Sequence, residues 1–132
     1  YTDKADFILV DAPCSGLGVL RRRPEIRWRK SEDQIKELSA LQRQILDSAA
    51  KCLKSGGILV YSTCTITHEE NIDVVNDFLN THHEFKADSL TGVLPDSLSG
   101  ASGTETLTKG FVQFLPHVHG TDGFFIARMK KQ

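Results

Sequence analysis

Cys14 and Cys64 are the residues in this chain best placed to do chemistry, and they share a setting. Cys14 ends Asp11-Ala12-Pro13-Cys14, directly after the apolar run Phe7-Ile8-Leu9-Val10. Cys64 lies in Tyr61-Ser62-Thr63-Cys64-Thr65, directly after Ile58-Leu59-Val60. A thiolate is a strong, soft nucleophile once its proton leaves readily, so either residue could carry covalent catalysis. Two thiols brought together could instead cycle between dithiol and disulfide. Helix starts and basic residues near both favour the anion. Cys52 falls at an apolar helical position and reads as a core residue. Three cysteines without short spacings fit neither a disulfide framework nor a zinc ribbon, and point to a reducing, cytoplasmic setting. His68 and the pair His117 and His119 do not complete a four-ligand set at recognisable spacing, so no metal is expected.

Such thiols need elements to position them. Phe7 to Val10 is an uninterrupted apolar run, suited to a strand buried on both faces of a parallel sheet. Pro13 ends it, because proline cannot continue a central ladder. Ser31 with Gln34 forms a capping box. Ile35, Leu38, Leu41, Ile45, Ala49 and Leu53 then recur at helical spacing, which predicts a helix over roughly 32 to 54. Gly56 stops it in a left-handed conformation. Ile58 to Ser62 is a second buried strand. Thr67 and Glu70 read as a second capping box, opening a helix with Ile72, Val75, Phe78 and Leu79 on its apolar face and its end near Asn80.

The remainder predicts a short strand at His83 to Lys86 and a long polar loop from Ala87 to Thr108. Strands at Phe111 to Leu115 and Phe124 to Met129 follow, and a solvated tail from Lys130 to Gln132. Gly123, Phe124 and Phe125 read as strand core. Alternating strands and helices imply right-handed parallel crossovers, and the last two strands pair antiparallel. In open sheets of this kind, sites form beyond the carboxyl ends of strands. If the first two strands are neighbours, about 5 Å apart, Asp11, Cys14, Ser62, Thr63 and Cys64 share one pocket.

The composition, 39% hydrophobic and 25% charged, excludes a disordered tail or a collagen-like chain. No apolar run approaches the ~18 residues of a membrane span, and no signal peptide opens the chain. The net charge of −1 hides a cluster: Arg21, Arg22, Arg23, Arg27, Arg29 and Lys30 fall within ten residues, which suits phosphate contacts and equally a solvated loop. Trp28 within it could stack on a base, but is expected to pack against the following helix. His117 and His119 read as parts of a structural turn. The chain opens at Tyr1 without a methionine and runs almost straight into a strand, which reads as a piece of something longer.

Asp11-Ala12-Pro13-Cys14-Ser15-Gly16-Leu17-Gly18 and Ser62-Thr63-Cys64-Thr65 resemble the two signature motifs of the RNA cytosine carbon-5 methyltransferases. The Arg-rich loop, the spacing, and Leu115-Pro116-His117-Val118-His119-Gly120-Thr121-Asp122-Gly123-Phe124-Phe125 are similar to the same family, in its bacterial 16S ribosomal RNA branch (Sun/RsmB-like). The resemblance implies an α/β chain forming the C-terminal half of a Rossmann-like class I S-adenosylmethionine-dependent methyltransferase fold, a mixed sheet with flanking helices. It implies that Cys64 attacks carbon 6 of a cytosine, that carbon 5 then takes the methyl group of S-adenosylmethionine, and that Cys14 assists product release. Asp11 is implied near the methionine end of the cofactor and the base edge. The partner implied is RNA, ribosomal RNA above all, with Arg21, Arg22, Arg23, Arg27 and Arg29 as its contacts. The base must be unstacked to enter such a pocket.

In the family, a Gly-rich cofactor turn and a ribose-binding acid precede the first motif, and this chain shows neither. Residues 1–132 are therefore expected to be the C-terminal portion of a methyltransferase catalytic domain, without the cofactor-loop half and the N-terminal RNA-binding regions. The piece alone is expected to be inactive, to bind cofactor poorly, and to expose the Phe7 to Val10 edge to a second copy. Three alternatives stay open. A thiol redox or thiol hydrolase domain needs a resolving thiol within bonding distance, or a base such as His beside Cys64. A non-catalytic RNA-binding module needs no reactive thiol. A DNA cytosine methyltransferase uses the cysteine of its Pro-Cys motif as nucleophile.

Overall fold

The carboxyl ends of two adjacent parallel strands carry both cysteine motifs. β1 (Ala5–Asp11) pairs parallel with β2 (Leu53–Thr63), in a register that places Asp11 opposite Ser62. β5 (Phe124–Lys131) lies antiparallel on the other side of β2, with Thr63 opposite Phe125 and Leu59 opposite Met129. The far edge of β5 is shared end to end by β3 (Phe85–Ala87) and β4 (Phe111–Phe114), both antiparallel to it. The result is a five-stranded mixed sheet with flanking helices, the α/β class expected. The computed structural model describes residues 1–28, 30–99 and 104–132. Arg29, singled out above for RNA contact, lies outside the described residues.

Helices α1 (Glu32–Cys52) and α2 (Ile72–Thr81) cover one face of the sheet. Leu46, Ala50, Val74, Val75 and Phe78 pack there on Leu59, Tyr61, Phe125, Ala127 and Met129. Alternation along the strands sends Phe124 and Ile126 to the other face. They meet a second cluster of Leu90, Leu107, Val112 and Phe114. The stretch expected as a polar loop supplies two of those anchors. It contains the short helices α3 (Asp96–Ser99) and α4 (Thr104–Thr108). A further short helix, α5 (Pro116–His119), begins at the proline expected to break the strand.

The structure corrects several expectations. Ser31 and Gln34 do form the capping box, with both reciprocal bonds made. The buried face of α1, however, is Ser39, Gln42, Leu46 and Ala50, one residue on from the apolar stripe. Leu41 is left exposed. The helix yields to β2 at Leu53, so Gly56, left-handed at φ 81, lies within an irregular strand start instead of ending a helix. Phe7 and Leu9 are 60% and 59% exposed, so β1 is covered by the described residues on one face only. Lys131 is no solvated tail residue: it pairs with Phe85, and its ammonium donates to the carbonyls of Ala50 and Leu53.

Candidate active site

The two thiols converge. Cys14 Sγ and Cys64 Sγ lie 3.1 Å apart, both half-buried. The strand ladder continues past β1, with the Ala12 amide donating to the Ser62 carbonyl. Fifty residues of chain are thereby closed into one site. Ser62 Oγ donates to Asp11 Oδ1 at 3.1 Å, which leaves that carboxylate exposed and with acceptor capacity to spare. A cavity of about 340 Å³ opens over the thiols, lined also by Arg23, Glu25, Ile26 and Lys30 of the basic loop.

Behind the thiols the site is buried and polar. Glu70 is fully buried. Its Oε1 accepts the Ser15 amide at 2.8 Å and Gln42 Nε2 at 3.2 Å, and its Oε2 accepts Ser15 Oγ at 2.6 Å and Thr67 Oγ1 at 2.7 Å. Ser15 Oγ also meets Thr65 Oγ1 at 2.8 Å. Gln42 donates in addition to the Pro13 carbonyl. Asn71 ties the other side of the Cys64 loop. It accepts from Thr63 Oγ1 and donates to the Thr65 carbonyl and to Gln113 Oε1 of β4. Buried polar groups in a low dielectric are costly unless paired, and a paired network fixes one geometry.

The expected capping box at Thr67 and Glu70 is therefore absent. Glu70 spends its side chain on the network, and α2 begins one residue after Asn71, which makes no side-chain cap. Sequence reading missed Ser15, Gln42, Glu70, Asn71 and Gln113 as site residues. One signal was present: the polar Ser39 and Gln42 interrupt the face of α1 that the fold buries.

The loop after Cys14 is pinned by close backbone contact. The Gly18 amide donates to the Cys64 carbonyl at 3.0 Å, and the Gly123 amide donates to the Gly18 carbonyl at 2.7 Å. A Cβ on Gly18 would sit 2.1 Å from the Gly123 oxygen. Gly123 thus serves close approach in a loop, instead of strand core, while Phe125 is core as expected. Gly18 lies in a turn of 3-10 helix, Leu17–Val19, and a second 3-10 stretch, Pro24–Trp28, follows. Arg22 and Arg21 reach Asp122 at 2.7 and 3.7 Å, and Arg23 pairs with Glu25. Trp28 does not pack inward: it is 82% exposed, with the Arg27 guanidinium 5.3 Å from its ring centre. His119 is structural, its Nδ1 accepting the Leu115 amide.

Burial pushes the Cys14 thiol up from 9.0 to about 12, reinforced by its hydrogen bond to Cys64 and by charge there. Cys14 therefore keeps its proton, against the expectation that its surroundings favour the anion. A protonated Cys14 can donate to Cys64 and stabilise negative charge on that sulfur. Burial also raises Tyr61, helped by charge on Cys14 and Glu70, and the Tyr61 hydroxyl donates to the Glu70 carbonyl.

Among the described residues, no group of three or more His, Cys, Asp or Glu side chains is placed to hold a metal ion. No described helix is long and apolar enough to cross a membrane. Among the described residues no His lines the thiol cavity, so the hydrolase alternative lacks its base there. The redox alternative finds its second thiol in contact.

Residues 1–130 match the family of 16S rRNA methyltransferases RsmB/F. The chain is 44% identical over 131 residues to a probable ribosomal RNA small subunit methyltransferase B of Bacillus subtilis, covering 98% of this chain and 28% of that protein. The crystal structure of PH0851 superposes with a TM-score of 0.85 at 42% identity, over 98% of this chain and 27% of that one. The structure of NSun6 from Pyrococcus horikoshii with SFG, an S-adenosylmethionine analogue, gives 0.78 at 37% identity, over 98% and 30%. The chain thus spans between a quarter and a third of the length of these relatives.

Proposed function

The chain belongs to the RsmB/F family of 16S rRNA methyltransferases, and on that footing we propose that the whole protein methylates carbon 5 of a cytosine in 16S ribosomal RNA. The observation that carries this reading is the contact of Cys14 and Cys64 at neighbouring strand ends, under a cavity walled by the basic loop.

Cys64 is the proposed nucleophile, as its Thr-Cys motif implies, with Cys14, the thiol that burial pushes up, as its proton-bearing neighbour. Its sulfur bonds carbon 6 of the cytosine, and the carbon 5–carbon 6 π electrons move to carbon 5. S-adenosylmethionine, when bound, supplies a methyl group on a sulfonium. After methylation the carbon 5 proton leaves to a base, the sulfur–carbon 6 bond breaks, the ring double bond reforms and the Cys64 thiolate departs. Covalent catalysis divides one difficult step into easier ones. Cys14, protonated beside Cys64, is placed to stabilise the departing thiolate and assist release. The exposed Asp11 carboxylate, with one hydrogen bond from Ser62, fits the cationic methionine end of the cofactor. Arg21, Arg22, Arg23, Arg27 and Arg29 are proposed phosphate contacts, and the exposed Trp28 ring offers a stacking surface for an unpaired base.

The test uses the complete protein and RNA carrying 5-fluorocytosine, whose fluorine cannot leave as a proton does. A covalent complex that needs S-adenosylmethionine, is lost in Cys64→Ala and survives in Cys14→Ala is the expected result. Dependence on Cys14 instead reverses the two roles. Absence of an adduct on every RNA overturns the methyltransferase assignment of the thiols and leaves the redox pair, which the same 3.1 Å contact favours as the second reading.

A further inference from the structure

A carboxylate with no accessible surface and four hydrogen bonds, none from a cation, is an unusual thing to bury. Glu70 is such a group, and its partners come from three separated segments: Ser15 beside Cys14, Thr67 three residues after Cys64, and Gln42 of α1. We propose that Glu70 is a positioning residue for methyl transfer, its carboxylate holding the Cys14 and Cys64 loops as one body and so setting the distance between the thiols.

The geometry is direct. The Ser15 amide is the peptide that follows Cys14, so Oε1 fixes the main chain one bond from that residue. Oε2 holds the Ser15 hydroxyl, which also meets Thr65, the neighbour of Cys64. Thr67 closes the same loop onto the same oxygen. Gln42 brings Pro13 to the carboxylate from the other side. The Glu70 main chain is anchored as well, by the Tyr61 hydroxyl at 2.6 Å. The residues on both sides of the thiol pair are thus referred to one group.

In the set as it stands both carboxylate oxygens accept, two hydrogen bonds each. Oε1 faces two N–H donors, which a glutamine can still meet with its carbonyl. Oε2 faces two hydroxyls, which must turn round to accept from an amide nitrogen. Ser15 would then lose its donation to Glu70. Glu70→Gln therefore keeps half of the arrangement, while Glu70→Ala leaves the buried Ser15 amide without its acceptor and Gln42 with the Pro13 carbonyl alone.

This role rests on the methyltransferase reading, and its test contains a readout that does not. In the complete protein, Cys14–Cys64 cross-linking by diamide, which takes up two electrons and two protons as the disulfide forms, reports thiol proximity without any RNA. It is followed by peptide mapping to exclude Cys52. Glu70→Gln is expected to melt within a few degrees of wild type. It should cross-link about tenfold more slowly and lose roughly tenfold in kcat with KM for S-adenosylmethionine unchanged, since misplacement of reacting groups by about 1 Å costs up to a hundredfold. Glu70→Ala, where it folds, should lose more of both. An unchanged cross-linking rate in Glu70→Gln overturns the proposal whatever the activity. Slower cross-linking with unchanged kcat also overturns it, because the thiol geometry would then not matter to the reaction. Slower cross-linking in Glu70→Gln, where the wild-type protein itself methylates no RNA, sinks the methyltransferase reading and, with it, the role in methyl transfer.

Discussion

The two sides of the thiol pair are built on opposite principles. On the inner side, Ser15, Gln42, Thr65, Glu70 and Asn71 are all buried and joined by short hydrogen bonds. On the outer side, Arg21, Arg22, Arg23, Arg27 and Trp28 stand in solvent and make surface ion pairs or a cation–π contact. Exposed ion pairs contribute little to stability, whereas removing one partner from a buried network costs its full desolvation penalty. The inner side thus fixes geometry, and the outer side is free to be spent on a partner. Mutations should separate accordingly, with inner changes moving turnover and stability and outer changes moving RNA affinity.

The largest effect is expected at the pair itself. Cys64→Ala in the complete protein should abolish 5-methylcytosine formation, a loss on the order of 10⁴-fold or more, with near-normal RNA binding by filter assay. Next is Gly18→Ala, where the new methyl meets the Gly123 and Cys64 carbonyl oxygens. Both are backbone atoms that cannot swing aside, so chemical denaturation should show a loss of about 3 kcal/mol. A stable Gly18→Ala would mean that the loops are less closely joined than their hydrogen bonds imply. On the outer side, Trp28→Ala should weaken binding of single-stranded RNA about tenfold, from the loss of one stacked base, and leave the melting temperature unchanged.

Two smaller effects sharpen the contrast. A thiol held above its unfolded pKa stabilises the fold fully below that value. The contribution is lost as pH rises from 9.0 toward about 12, because the unfolded chain gives up the proton first. Tyr61, also raised, adds in the same direction. The melting temperature should therefore fall across that window, and Cys14→Ser should flatten part of the fall. Smallest is Arg23→Gln, an exposed residue that pairs with Glu25 across two positions. It should change stability by less than about 0.5 kcal/mol. RNA binding should weaken evenly across sequences, and its salt dependence should drop by roughly 0.7 in log–log slope, as for one lost phosphate contact.

Local signals in the chain were legible because their causes are local. Ser31 caps α1 through a partner three residues away. The apolar runs before Asp11 and Ser62 are strands because they are short, continuous and bounded by turn residues. Their adjacency follows from the alternation of strands and helices, and it brings Cys14 to Cys64 as expected. Glu70 was misread for the same reason that Ser31 was not. Its spacing from Thr67 matches a cap, and they do bond, but its other partners lie 28 and 55 residues away. Gln42 and Trp28 failed similarly: the apolar stripe of α1 leaves Gln42 off its face and Trp28 was expected to pack against that helix, and the structure reversed both. The sequence by itself determined the strand–helix order, the class of fold and the two thiols as a site. Only the tertiary structure decided which polar residues are buried with them and that burial pushes the Cys14 thiol up. Burial and electrostatics depend on everything packed around a group, and no local pattern records that.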